Sequence, residues 1–239
     1  MTTTAIDRGL GADLAADLAT TALTMAKRFA AGATMWSIAP GWEPHAGHIA
    51  VEFIHPVIVG KRALPAVALT GPDLVDLVRV SVRPSDIVIA VAGADNAEVR
   101  SVMRRSPAWG ATSIWIGSGE RPRPGCADHV LWLDDPDPAM PATGGFVLFY
   151  HLLWELTHVC FEHPGLLKPA AKDNVCVTCS DEGHLGEVVA ASGDGTVRVR
   201  TAGGVENVAT TLVGSTAPGD LVLVHAGIAI ARVDEEDGL

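Results

Sequence analysis

Basic residues are scarce in this chain. Seventeen lysines and arginines stand against 28 aspartates and glutamates, a formal net charge of −11 over 239 residues. A positive footprint for the phosphates of nucleic acid is therefore missing, and an anionic bilayer surface would repel the chain on average. Aromatic residues are only 5% of the sequence and are scattered, which excludes a stacking platform for bases. Long apolar runs are missing too. The stretch from Leu10 to Ala33 is broken by Asp13, Asp17, Lys27 and Arg28, so it reads neither as the core of a cleavable signal nor as a membrane span. A cytoplasmic location is the resulting expectation. In that reducing compartment the four cysteines are expected to be mostly free thiols, and a close pair reads as metal or redox chemistry before it reads as a structural disulfide.

What the chain does have is apolar bulk. At 48% apolar and 19% charged residues, it can build a packed core. Leu10, Leu14 and Leu18 recur at helical spacing, continued by Met25, Ala26 and Phe29, and predict an amphipathic helix over 10–31. Thr34–Ile38 reads as a short strand, Pro40–Pro44 as a loop, and the residues from His45 as helical. Ala66–Leu69 has the composition of a buried strand. Gly71-Pro72-Asp73 opens a helix, and Arg83–Asp86 forms a turn before the apolar strand Ile87–Ala92. A helix over Asn96–Arg105, strands at Ser113–Ile116 and His129–Leu133, and a long helix from Phe146 to Phe161 complete an alternation of strands and helices. That alternation predicts an α/β domain over 1–165, a parallel sheet with helices on both faces.

Composition changes after His163-Pro164-Gly165, and 166–174 reads as a linker. From 175 to 239 the helical signal nearly vanishes. Strand-like stretches at Gly186–Ala191, Thr196–Thr201, Val205–Leu212 and Leu221–Ile230 alternate with turn residues at Ser192–Gly195 and Ala217–Asp220. They predict a small OB-like β-barrel. Residues 173–239 also carry eleven acidic and three basic side chains, so most of the negative charge sits there.

Two elements of this second domain carry chemistry. Cys176-Val177-Thr178-Cys179 is a lone CxxC, compatible with zinc, redox or packing roles. A closed zinc site would need further ligands such as His184 or His225. The second element, Gly219–Ile230, alternates with period two and reads as one strand with His225 and Gly227 on one face. The histidine there is either a satisfied structural residue or a ligand.

Taken together, GDLVLVHAGIAIARVDEED, the upstream Gly186-Glu187-Val188-Val189 and the Gly203-Gly204-Val205 turn resemble the HypC/HupF hydrogenase-formation chaperones. The resemblance implies a chaperone, not an enzyme, that carries the Fe(CN)2(CO) unit of [NiFe]-hydrogenases. It implies a HypD-like scaffold protein and the hydrogenase large-subunit precursor as partners. Cys176 takes the place of that family's essential cysteine, and His225 that of its HAG histidine. A soft thiolate suits low-spin iron, and an adjacent imidazole can take a proton. That family's cysteine usually becomes the first residue of its chain. Here 175 residues precede Cys176, so its α-amino group is in a peptide bond, whereas thiolate ligation is unaffected.

The first domain, through His48–Phe53, Leu64–Leu69, Arg83–Ala90 and Tyr150–Leu156, resembles the SIS domains of the phosphoheptose-isomerase type, which implies a homo-oligomer as one arrangement. The serine-rich phosphate loops of that family read here Ser37-Ile38-Ala39-Pro40-Gly41-Trp42 and Ala92-Gly93-Ala94-Asp95-Asn96. Both have lost hydroxyls, which argues against sugar-phosphate isomerase activity. His48 and Glu52, spaced i,i+4, share one helix face, and by the resemblance they pair with His151 as ligands for zinc or iron. The family's further glutamine ligand is Thr143 here. His45 and His55 are auxiliary ligands or surface, and Cys126 and Cys160 packing residues. Two other readings stay open: a divergent sugar-phosphate isomerase or binding protein, and a zinc-stabilised interaction module.

Overall fold

The computed structural model describes residues 12–133, 145–168, 183–192 and 195–233. Cys176, Cys179, Thr143 and most of the linker lie outside the described residues, as do the middle two residues of the Ser192–Gly195 turn.

The first domain runs α1 (Ala12–Ala30), β1 (Met35–Ile38), α2 (Glu43–Ile54), β2 (Ala66–Ala68), α3 (Leu74–Ser81), β3 (Ile87–Val91), α4 (Ala97–Arg105), β4 (Thr112–Ser118), β5 (His129–Leu133) and α5 (Gly145–Glu162). The five strands form one parallel sheet in the order β2-β1-β3-β4-β5. Every residue of the central strand β3 is buried, as its unbroken apolar sequence requires of a strand covered on both faces. One face packs against α1, α2 and α5 through Leu18, Met25, Ile49, Phe53, Phe146 and Leu153. The other packs against α3 and α4 through Leu74, Val78, Val99, Val102, Trp109 and Trp115. The predicted turn before β3 is built around the carboxylate of Asp86. It accepts the backbone N–H groups of Thr34 and Arg83 and the indole N–H of Trp36, each at 2.9 Å, and so ties β3 to β1.

The second domain comprises β6 (His184–Ala191), β7 (Thr196–Thr201), β8 (Gly204–Ala209), β9 (Leu221–His225) and β10 (Ile228–Val233). They close a barrel in the order β10-β8-β7-β6-β9, with β10 parallel to β8 and the other pairs antiparallel. Its interior is Val188, Val197, Val199, Val208, Val222, Val224 and Ala229. Both predicted architectures, the α/β sheet and the small barrel, are present.

Four local expectations are corrected. Helix α2 begins at Glu43, inside the predicted loop, because Pro44 sits in the first turn, where its missing N–H costs nothing. Strand β2 is a sheet edge, with Val67 41% exposed, although its apolar residues read as fully buried. Strand β8 stops at Ala209, and Thr210 turns the chain by accepting the N–H groups of Val213 and Gly214. Most consequential, Leu221–Ile230 is not one strand. It folds back in a hairpin at Ala226 (φ 48°) and Gly227 (φ 77°), with His225 paired to Ile228. Two central residues with positive φ make the turn whose twist suits a two-residue hairpin. Alanine rarely marks such a turn, so the apolar pattern ran through it unbroken. Gly227 thus sits in the turn and not beside His225 on a strand face.

The barrel docks on the α3/α4 layer. Glu187 on β6 is 1% exposed; its carboxylate accepts the Arg105 guanidinium at 2.8 Å and the Trp109 indole N–H at 2.8 Å. Arg105 also donates to the carbonyl of Gly219 at 2.6 Å. Arg200 on β7 donates to the carbonyls of Arg79 and Val82 and lies over the Trp109 ring. Leu221 joins the α3/α4 core outright, with Leu185 and Val233 packed against it. Close approach at this seam requires Gly110, where a Cβ would come within 3.1 Å of the Ala202 and Pro84 backbones.

Removing one partner of a buried ion pair strands the other charge without solvent. Glu187→Ala is therefore expected to destabilise the protein by about 3–5 kcal/mol. In urea, followed by tryptophan fluorescence, the barrel should come away in a separate, earlier transition. A single transition at the wild-type midpoint would show that the contact does not hold the domains together.

Candidate functional site

Helix α2 turns Ala46, Ile49, Ala50 and Phe53 into the core. The adjacent stripe carries His45, His48 and Glu52, and faces α5, where Tyr150 and His151 are consecutive. The structure brings the predicted triad together. His48 Nε2 lies 3.3 Å from His151 Nε2, and Glu52 Oε2 lies 3.6 Å from the same nitrogen. One ligand atom from each of the three falls within 4.8 Å of the others. Two donors bonded to one tetrahedral ion at about 2.0–2.1 Å stand roughly 3.4 Å apart, so this spacing suits a single zinc-sized cation. Three protein donors leave a fourth position, on the side where the His151 side chain is 41% exposed.

Behind the triad lies a group that sequence reasoning did not single out. Tyr150 is fully buried, and its hydroxyl lies 3.0 Å from His48 Nδ1 and 3.3 Å from His45 Nδ1. A phenol between two imidazoles accepts from one and donates to the other. When His48 Nδ1 carries the proton, its Nε2 lone pair is aimed at the triad, and Tyr150 donates to His45. Burial, with the nearby Glu52 charge, pushes the tyrosine pKa up to about 12, so it stays a neutral donor. The available signal was position: the only tyrosine of the chain adjoins a predicted ligand histidine. His55 is exposed and outside the cluster.

His225 closes β9 on the outer barrel surface, half-buried, on the same face as Leu221 and Leu223. It does not meet the triad: the triad lies on the α1/α2/α5 layer, and the barrel docks on the opposite one. His184, a candidate zinc ligand by sequence, is paired with Glu206 at 2.7 Å. Among the described residues the His48/Glu52/His151 set is the one cluster able to hold a metal ion. Cys160 is buried and Cys126 half-buried, as packing residues should be, and burial raises both thiol pKa values.

The phosphate-loop positions are filled by other chemistry. The Asn96 side chain caps α4 by accepting the Val99 N–H at 3.0 Å, with Asp95 beside it. The residue preceding α2 is Trp42, which makes no side-chain cap. Neither helix start presents a ring of hydroxyls to an anion.

Comparison with known proteins gives two kinds of likeness. Residues 183–239 match the HupF/HypC family model. No curated protein matches the chain. Among solved structures, a phosphoheptose isomerase from Francisella tularensis aligns at TM-score 0.51 and 16% identity, covering 60% of this chain and 85% of its own. A phosphoheptose isomerase from Neisseria gonorrhoeae aligns at TM-score 0.48 and 17% identity, covering 59% and 84%. The first of these shows the fold of the α/β domain, and at that identity the fold alone. The chain thus carries a barrel that matches the HupF/HypC family model behind a domain whose fold is similar to that of a phosphoheptose isomerase. The family match starts at Gly183, so Cys176 and Cys179 precede it.

The triad makes a titration prediction. Burial first, then the neighbouring His151 and His45, hold the His48 pKa below 6.5, while Glu52 acts to raise it. By histidine-ring NMR of metal-free protein, His48 should gain its proton at a lower pH than a free imidazole. His151→Ala should move that midpoint up and Glu52→Gln should move it further down. Opposite signs in the two variants would contradict the geometry.

Proposed function

We propose that this protein is an accessory chaperone of [NiFe]-hydrogenase maturation, carrying or relaying the Fe(CN)2(CO) unit to the hydrogenase large-subunit precursor with a HypD-like scaffold as partner. The observation that carries the reading is the family match over the whole described barrel, including the His225-Ala226-Gly227 hairpin. In this reading Cys176 supplies the thiolate. It lies seven residues before Gly183, a reach of at most about 25 Å. A metal keeps such a sulfur deprotonated, and His225, at a tight hairpin, supplies an imidazole that holds or passes a proton. Cys179 is a second sulfur of the same segment. The chaperone works in the cytoplasm; no described helix is long and apolar enough to cross a membrane.

The α/β domain has a separate role in this account. His48, Glu52 and His151 hold a resident zinc or Fe(II) ion, with Tyr150 as the outer partner that fixes the His48 tautomer. Such an ion stabilises the α2/α5 contact, and the fold offers a surface for homo-oligomer assembly. A second reading, sugar-phosphate binding or isomerisation, draws on the Glu52–His151 approach of 3.6 Å as an acid–base pair. Against it stands the Asn96 side chain, which caps α4 by accepting the Val99 N–H and offers no hydroxyl to a phosphate.

The test is complementation of a hydrogenase-maturation strain, with metal analysis and infrared spectra of anaerobically purified protein. Cys176→Ser should abolish hydrogenase activation and remove cyanide and carbonyl stretches. His48→Ala/Glu52→Ala should lose one metal equivalent and keep those stretches. Undiminished activation by Cys176→Ser would end the chaperone reading; equal metal content in the double variant would end the triad's.

A further inference from the structure

A cavity of about 730 Å³ opens at the domain seam, between α4, the loop after β4 and the start of β6. The barrel contributes Leu185 to its wall, and Trp115 and Met103 give it an apolar side. Its charge is unlike that of the chain as a whole. Four guanidiniums line it, those of Arg100, Arg104, Arg121 and Arg123, in a protein of net charge −11. Three carboxylates face them: Asp95, Glu120 and Asp128. Asp128 is already engaged, accepting both the backbone N–H and the hydroxyl of Ser113 at 2.8 Å. Arg121 reaches Asp17 only at 3.5 Å, and Arg100 donates to the carbonyl of Ala94. No carboxylate among the described residues pairs with Arg123.

The position of the cavity ties it to the barrel. Leu185 on its wall pairs with Leu223, and His225 is the next outward residue on β9. Gly183, where the stretch carrying Cys176 joins the barrel, lies against Leu223, with space for a Cβ only 3.2 Å from its Cδ1. The cavity, not the triad, is therefore on the layer that the barrel covers. A smaller cleft of about 280 Å³ on the seam is also arginine-bordered, but there Arg105 is held by Glu187 and Arg232 by Asp220.

We propose that the larger cavity binds a compact multivalent anion rich in hydrogen-bond acceptors. Guanidiniums present forked N–H donors and are weakly hydrated, so four lining one pocket favour such a ligand over chloride. A domain seam with one apolar wall is a common setting for a small-molecule site. Two ligands share this chemistry: a cyanide-bearing iron complex and a phosphate ester. The anion site stands without the maturation reading; only the choice of the iron complex as its cargo rests on that reading.

The experiment is calorimetric titration of the full chain with hexacyanoferrate(II) and, separately, with inorganic pyrophosphate, alongside tryptophan fluorescence, to which Trp115 responds. Wild type should bind at least one of them saturably at one per chain. Arg100→Gln/Arg123→Gln should weaken that binding at least tenfold, while the Arg198 control, Arg198→Gln/Lys168→Gln, an equal charge change away from the cavity, should leave it within twofold. Preference for hexacyanoferrate assigns the iron complex, and preference for pyrophosphate assigns the ester. Binding of neither probe, or equal weakening by the Arg198 control, overturns the site. Cys176→Ser should bind as wild type, so loss of the chaperone reading and loss of the anion site are separately visible.

Discussion

One carboxylate organises the molecule. Glu187 belongs to the barrel by sequence and to the α/β domain by its side-chain partners, since Arg105 and Trp109 donate the hydrogen bonds that its carboxylate accepts. At 1% exposure an unpaired carboxylate would be costly, so these partners must stay in place while the ion is buried. Its geometry also orients the barrel. With Glu187 fixed, the outer face of β6 and β9 turns toward α4, and Leu185 and Leu221 pack into a core shared by both domains. The apolar surface they bury, and the Arg200 contacts beside them, then add to a contact that the ion pair has placed in register.

That orientation separates two chemistries. The His48/Glu52/His151 triad lies on one side of the parallel sheet, buttressed by Tyr150, and the barrel lies on the other. A direct hand-off from triad to barrel would have to cross the sheet, which is fully packed at β3. The triad is thus better understood as serving the α/β domain itself. The groups that share the barrel's side are the arginines of the seam cavity, and they are suited to an anion where the triad is suited to a cation.

Much of this was legible in the sequence, for identifiable reasons. The sheet was, because β3 is apolar at every position and the helices between the strands keep a helical period. The triad was, because i,i+4 spacing puts His48 and Glu52 on one face and the resemblance supplied His151. The hairpin at Ala226-Gly227 was hidden, because alanine in a positive-φ position leaves no compositional mark. The domain seam was hidden for a different reason. Glu187 sits in an alternating strand where an acidic residue reads as solvent-facing, and Arg105 closes a helix with a polar face. Only tertiary placement, 82 positions apart, turns the two into a buried pair. Tyr150 was visible as a residue and invisible as a role, since its function is to touch two histidines from the side away from the site.

The account depends most on the two domains moving as one body. Backbone amide ¹⁵N relaxation measures this directly. Amides of β1–β5 and of β6–β10 should report the same overall tumbling time. A distinctly shorter time for the barrel would contradict the account, because a barrel turning freely could not keep Glu187 buried or hold its outer face over the arginine cavity.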